Sequence, residues 1–154
     1  SPGIAQTLFA VARLGRILAE DRPGSSQSQR LAEYGRTVLD ELAWMAEITG
    51  ACFACFDRFE VTVTVAMLYF IAAHYCEERE RAGRAAPGAA FLLADQAAYR
   101  DIAAAVCRQA PTVSAGDANA FSAYVRRELA PYNLCCLCDP LRRNMYPFLG
   151  PWST

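Results

Sequence analysis

Between Val61 and Tyr75 the chain runs for fifteen residues, VTVTVAMLYFIAAHY, without a formal charge. The opening VTVTV has strand propensity, but strands average roughly five or six residues, and this run leads straight into the charged segment CEERERAG. It is also shorter than the roughly 20 apolar residues that a bilayer span requires. A helix without a polar face must be covered by other elements. The run therefore predicts a central buried helix wrapped on every side, and Leu68→Ala or Phe70→Ala within it is expected to cost about 2–5 kcal/mol.

The flanking segments supply the wrapping. Ile4, Leu8, Val11, Gly15 and Leu18 recur at steps of three and four, the spacing of one helix face. Pro23 and Gly24 end that helix, and the serines after them offer an N-cap to the next. The second helix is predicted from about Gln27 to Thr49, with Leu31, Tyr34, Val38, Leu42 and Met45 on one side and Gly50 as its stop. After GRAAPG, the residues Leu92, Tyr99, Ile102 and Val106 mark a helix closed by Pro111. Ser114 and Asp117 have capping-box spacing, followed by a buried face of Phe121, Val125 and Leu129. Four prolines from Pro131 onward leave room for at most one short helix. The expected fold is all-α: a single globular bundle of five to six helices over residues 1–154, with 131–154 a proline- and aromatic-rich C-terminal segment. Met145, Tyr146, Phe148, Leu149 and Trp152 in that segment are expected to pack back on the bundle, to mediate homo-oligomerisation, or to meet another ligand.

Composition narrows the partners. With 54% apolar and 20% charged residues the chain has the make-up of a folded domain. A net charge of −1 offers no electropositive field to nucleic acid. All 15 basic residues are Arg and none is Lys, as expected from a GC-rich genome or from avoidance of ubiquitin attachment by a viral, host-directed protein. The N-terminal run IAQTLFAVARLGRILAE is interrupted by Arg13 and Arg16 and lacks a cleavage site, so neither a signal peptide nor a membrane span is expected. Seven cysteines, an odd number, fit free thiols in an intracellular compartment, cytoplasm or nucleus.

Those cysteines are also the chief candidates for chemistry. Cys52/Cys55 and Cys135/Cys138 form two C-x-x-C pairs, a four-thiolate zinc set by spacing. The apolar context ACFACF instead favours buried thiols, so no cofactor is expected, with zinc as the alternative. His74 is the only histidine and lies two residues from Cys76, on a different side of a helix. Glu77 and Arg81 have the spacing of a surface ion pair. Neither a G-x-S-x-G, a P-loop nor a G-x-G-x-x-G occurs. The expectation is a protein without enzymatic activity.

The stretch LAEYGRTVLDEL, residues 31–42, resembles the death-motif helix of the Bcl-2 apoptosis regulators, with Leu31, Val38 and Leu42 apolar and Asp40 acidic. TVAMLYFIAAHY, residues 64–75, is similar to the buried central helix of that fold. Gly35 stands where the family prefers its main Leu, Leu39 where it prefers a small residue, and EVTV replaces its Asn-Trp-Gly-Arg signature. The resemblance implies a groove that captures a partner helix, formed by Val38, Leu42, Met45, Phe56 and Phe59, with Arg58 as the cation for a ligand carboxylate. Without the signature, regulators of inflammatory signalling are implied ligands as much as death-motif peptides. CFDRF and VAMLYFIAAHYCEE also resemble pieces of a cyclin box, set closer together than in that fold. The expected function is a protein–protein interaction module, viral and directed at a host regulator, that binds helices of host or self proteins; the alternatives are a zinc-stabilised helical adaptor and a cyclin-box-like regulatory scaffold.

Overall fold

A computed structural model describes residues 2–19, 25–84, 89–139 and 141. The described residues form five α-helices: α1 (Pro2–Ala19), α2 (Ser25–Ala54), α3 (Phe59–Arg81), α4 (Ala97–Gln109) and α5 (Ala118–Leu129). Single 3₁₀ turns lie at Phe91–Leu93, Ala110–Thr112 and Ala130–Tyr132, and no strand occurs among the described residues. The all-α bundle read from the sequence is the fold. The segment from Met145 to Trp152, with the oligomerisation expected of it, lies outside the described residues.

The central run is helical because its β-branched threonines find backbone partners. Thr64 Oγ1 donates to the Glu60 carbonyl at 2.8 Å, and Thr62 Oγ1 to that of Cys55 at 2.6 Å, which removes the polar cost of burying VTVTV. Glu60 in the first turn of α3 and Arg79 and Arg81 in its last turn complement the helix dipole. At its end Arg84 N–H donates to Arg79 O, and Gly83 N–H to Glu80 O, a Schellman closure with Gly83 in the left-handed region at φ 63°. At 23 residues α3 is long and apolar enough to cross a membrane by length and composition, but half of its most apolar stretch is buried among other helices.

One cluster of buried side chains joins all of α2 to α5. Val65, Leu68, Ile71 and Ala72 of α3 meet Trp44 and Ile48 of α2, Tyr99 and Val106 of α4, and Val125 and Leu129 of α5. Tyr99, fully buried, donates its hydroxyl to the Leu68 carbonyl. The wrapping is incomplete: Val63 and Phe70 of α3 face solvent, Phe70 at 47% exposure. Equal costs at Leu68 and Phe70 are therefore not expected, because only Leu68 leaves a cavity.

The buried sides of α1 and α2 are not their apolar-periodic sides, and two helix boundaries are corrected. In α2 the inward residues are Glu41, Trp44, Ile48, Ala51 and Cys55, at steps of three and four. That is about one residue, or 100°, away from the face predicted through Leu31, Val38 and Leu42. The helix also continues through Gly50 to Ala54, because Ala51 is buried in its next turn. It stops where Cys55 and Phe56 N–H groups close onto the Cys52 and Phe53 carbonyls. In α1 the inward residues are Gln6, Ala10 and Ile17, while Ile4, Leu8, Val11 and Leu18 are exposed. Leu92 belongs to the Phe91–Leu93 turn, before α4 begins.

A buried carboxylate explains the rotation of α2. Glu41 is fully buried and accepts three hydrogen bonds: from Arg13 at 2.7 Å, from Gln6 at 3.4 Å and from the Phe91 backbone N–H at 2.7 Å. Arg13 also donates to the Ala89 carbonyl at 2.9 Å. One turn along α2, Trp44 Nε1 donates to the Leu92 carbonyl at 3.1 Å. Glu41 and Trp44 thus grip both sides of a turn in which Leu92 and Leu93 take left-handed φ of 52° and 57°, a conformation that costs an L-residue about 1–2 kcal/mol. Removing one partner of a buried, hydrogen-bonded pair typically costs about 3–5 kcal/mol. Glu41→Ala is expected to lose stability on that scale in urea denaturation, while the neighbouring Leu42→Ala changes it by less than about 1 kcal/mol.

Candidate interaction surface

The rotation of α2 turns an apolar stripe outward. Leu31, Leu42 and Phe53 are spaced by eleven residues, close to three helical turns, so they align along one side of the helix. Leu39 lies beside them, and all four are exposed. The stripe ends in the α2–α3 corner, where Phe53, Phe56 and Phe59 are 70%, 73% and 79% exposed. The rings of Phe53 and Phe56 have centroids 6.3 Å apart. Three phenylalanines held outward within seven residues are a large apolar surface for a chain whose remaining described aromatic rings are mostly in or against the core.

Of the residues expected to form a groove, the structure places Leu42, Phe56 and Phe59 on this exposed surface. Val38 is half-buried at its margin, and Met45 is half-buried against the core. Arg58 has another role. Its Nη1 donates to the Val113 carbonyl at 2.6 Å and to that of Ala110 at 3.4 Å, and its Nη2 reaches the Ala54 carbonyl at 3.4 Å. The guanidinium fastens the α2–α3 corner to the end of α4, which is why the neighbouring phenylalanines are held in place. Asp40 is paired inside the chain, 2.7 Å from Arg100, whose guanidinium also lies over the Trp44 ring. Phe53 and Leu39 were missed by the sequence reading; the eleven-residue spacing from Leu42 to Phe53 was the available signal.

The thiols are distributed by burial. All seven are free. Cys52 and Cys55 lie at the end of α2, near Cys107 of α4, while Cys135 and Cys138 follow α5. Among the described residues no three His, Cys, Asp or Glu side chains converge as a metal-binding group, so the two C-x-x-C pairs are not assembled into one set. Burial pushes the Cys107 thiol up to about 12, reinforced by the nearby Glu47 carboxylate. Burial likewise pushes Cys76 and Cys138 up to about 11. His74 is buried, its Nε2 4.0 Å from Glu78. Arg81 pairs with Glu78 at 3.0 Å, three residues away, in place of the expected Glu77.

No family model, curated protein or solved structure matches the chain. The functional reading therefore rests on this surface.

Raised thiol pKa values set a pH dependence. An unfolded thiol ionises near ~8.5, whereas folded Cys76 and Cys107 hold their protons to about 11 and about 12. Above the unfolded value the native state binds more protons than the unfolded state, so stability falls as pH rises. Urea midpoints are expected to decline steadily from about pH 9 upward. Cys107→Ala lowers the midpoint overall and makes that decline shallower; an unchanged slope would remove Cys107 as its source.

Proposed function

We propose that this chain is a non-enzymatic protein–protein interaction module that captures an apolar-faced helix of a partner on the α2 stripe and its phenylalanine corner. The observation that carries the reading is the exposure of Phe53, Phe56 and Phe59 on a corner that Arg58 fixes from behind. Rigid aromatic side chains bury large areas with little loss of conformational freedom, which is why they dominate binding energy at interfaces. A partner helix with apolar residues at i, i+3 or i+4, and i+7 would lie along Leu42 toward the corner. The resemblance to Bcl-2 regulators supports a regulator of cell death or inflammatory signalling as that partner, and the lysine-free composition suits a viral protein acting on a host. Because Arg58 is engaged by backbone carbonyls, recognition here is by apolar contact, without the arginine–carboxylate pair of that family.

A second reading keeps the cyclin-box-like regulatory scaffold: CFDRF, one of the two stretches that resemble that fold, forms the α2–α3 corner itself. In that case the corner would meet a folded regulatory partner and not an isolated helix.

Fluorescence anisotropy with a panel of labelled amphipathic helical peptides tests the first reading. Phe56→Ser with Phe59→Ser is expected to leave the melting temperature nearly unchanged and to weaken peptide binding by about tenfold or more, since interface aromatics commonly contribute above ~1 kcal/mol each. Peptide binding that survives both substitutions would exclude the corner as the docking site. Binding to no peptide of the panel would remove the helix-capture reading and leave the scaffold reading.

A further inference from the structure

The outer face of α1 carries a second apolar surface, separate from the α2 stripe. Ile4, Leu8, Val11, Gly15 and Leu18 follow one another at steps of four, three, four and three, the alternation of the a and d positions in a coiled-coil seam. The four aliphatic residues are 57–64% exposed, and the opposite side of the helix, through Gln6, Ala10 and Ile17, supplies the buried contacts of the fold. Among the described residues none covers this seam.

From this geometry we infer that the α1 seam is a homodimer interface, in which α1 of one copy pairs antiparallel with α1 of a second copy about a two-fold axis. Several features select a second copy over an unrelated partner. First, the seam is complementary to itself. When the axis passes between Leu8 and Val11, Leu8 faces the partner's Val11, and Ile4 faces the partner's Gly15. Beyond its chain neighbours and the backbone of its own helix turn, a Cβ built on Gly15 would meet no atom within 4 Å, so that position is an open seat for the facing aliphatic group. An open depression of about 310 Å³, lined by Gly3, Ile4, Thr7 and Leu8, offers a second seat at the other end.

Charge does not oppose the pairing. Arg13 is turned inward to Glu41, and Arg16, the other charge on α1, follows the seam position Gly15 by one residue and so lies outside the seam. Flanking positions Thr7 and Ala12 are uncharged, so the seam offers no electrostatic guide to a charged ligand. The exposed patch is on the order of 500 Å² per copy, at the upper end for a monomer surface and short of the roughly 800 Å² per partner in a standard stable interface. Such an area fits a reversible dimer. Two-fold, self-complementary contacts are the commonest way in which soluble chains associate.

Sedimentation velocity of the purified chain over a micromolar concentration series tests the proposal. Wild type is expected to pass reversibly from monomer to dimer. Leu8→Glu and Val11→Arg, both at exposed positions, should each keep the circular dichroism spectrum and melting temperature of the monomer while weakening dimerisation by about a hundredfold or more, the effect of an unpaired charge in an apolar interface. An equimolar mixture of the two variants should recover dimer, because the antiparallel register sets the carboxylate introduced by Leu8→Glu in one chain against the guanidinium introduced by Val11→Arg in the other. A monomeric wild type throughout the series would overturn the inference. So would a dimer that both variants retain, which would place association elsewhere, or a mixture that stays monomeric, which would refute the register.

Discussion

Everything about the upper half of the bundle depends on one buried carboxylate. Glu41 draws a guanidinium from α1, an amide from the same helix and a backbone N–H from the Phe91–Leu93 turn to a single point. An ionised carboxylate in the interior is tolerated only when its acceptor sites are filled, so α1, α2 and the turn can meet in few other arrangements. The same requirement fixes the rotation of α2 about its own axis. With Glu41 inward, Trp44 and Ile48 become core, and Leu42 and Phe53 are directed outward.

The division between legible and illegible parts of the fold follows from this. The central helix, the helical class and the breaks near Pro111 and Pro131 could be read directly, since an uncharged run and a proline act locally. Ser114 and Asp117 do form a reciprocal turn, with the Ser114 hydroxyl 2.6 Å from the Asp117 carboxylate, immediately before α5. The buried faces of α1 and α2 were not legible for one shared reason. Apolar periodicity was the guide to orientation, and it passes over Glu41 and Arg13, because isolated charges usually belong in solvent. Each charge is buried because the other is, and no window along the chain contains both.

The candidate surface was legible in part. Phe56, Phe59 and Leu42 were identified for a groove and are exposed, while Arg58, identified for a ligand, is bound to the carbonyls of the chain itself. Local sequence could nominate an arginine beside aromatic residues, but the carbonyls that hold it come from Ala110 and Val113, more than fifty residues later. The thiols show the same separation: spacing pairs Cys52 with Cys55, whereas the electrostatic environment of Cys107 links it to both from another helix.

The length of α2 has a further consequence. Over 30 residues without a break, the helix that carries the Glu41 contact also carries the phenylalanine corner, so the two are geared together by a rigid shaft. Each residue of the shaft turns the next by about 100°. A one-residue insertion or deletion between Glu41 and Ala51 would leave either end locally intact and yet set one of them out of phase, swinging Ile48 or Ala51 from the core or Glu41 from its partners. The middle of α2 should accordingly accept exchanges of residue type on its outer side while accepting no change in length.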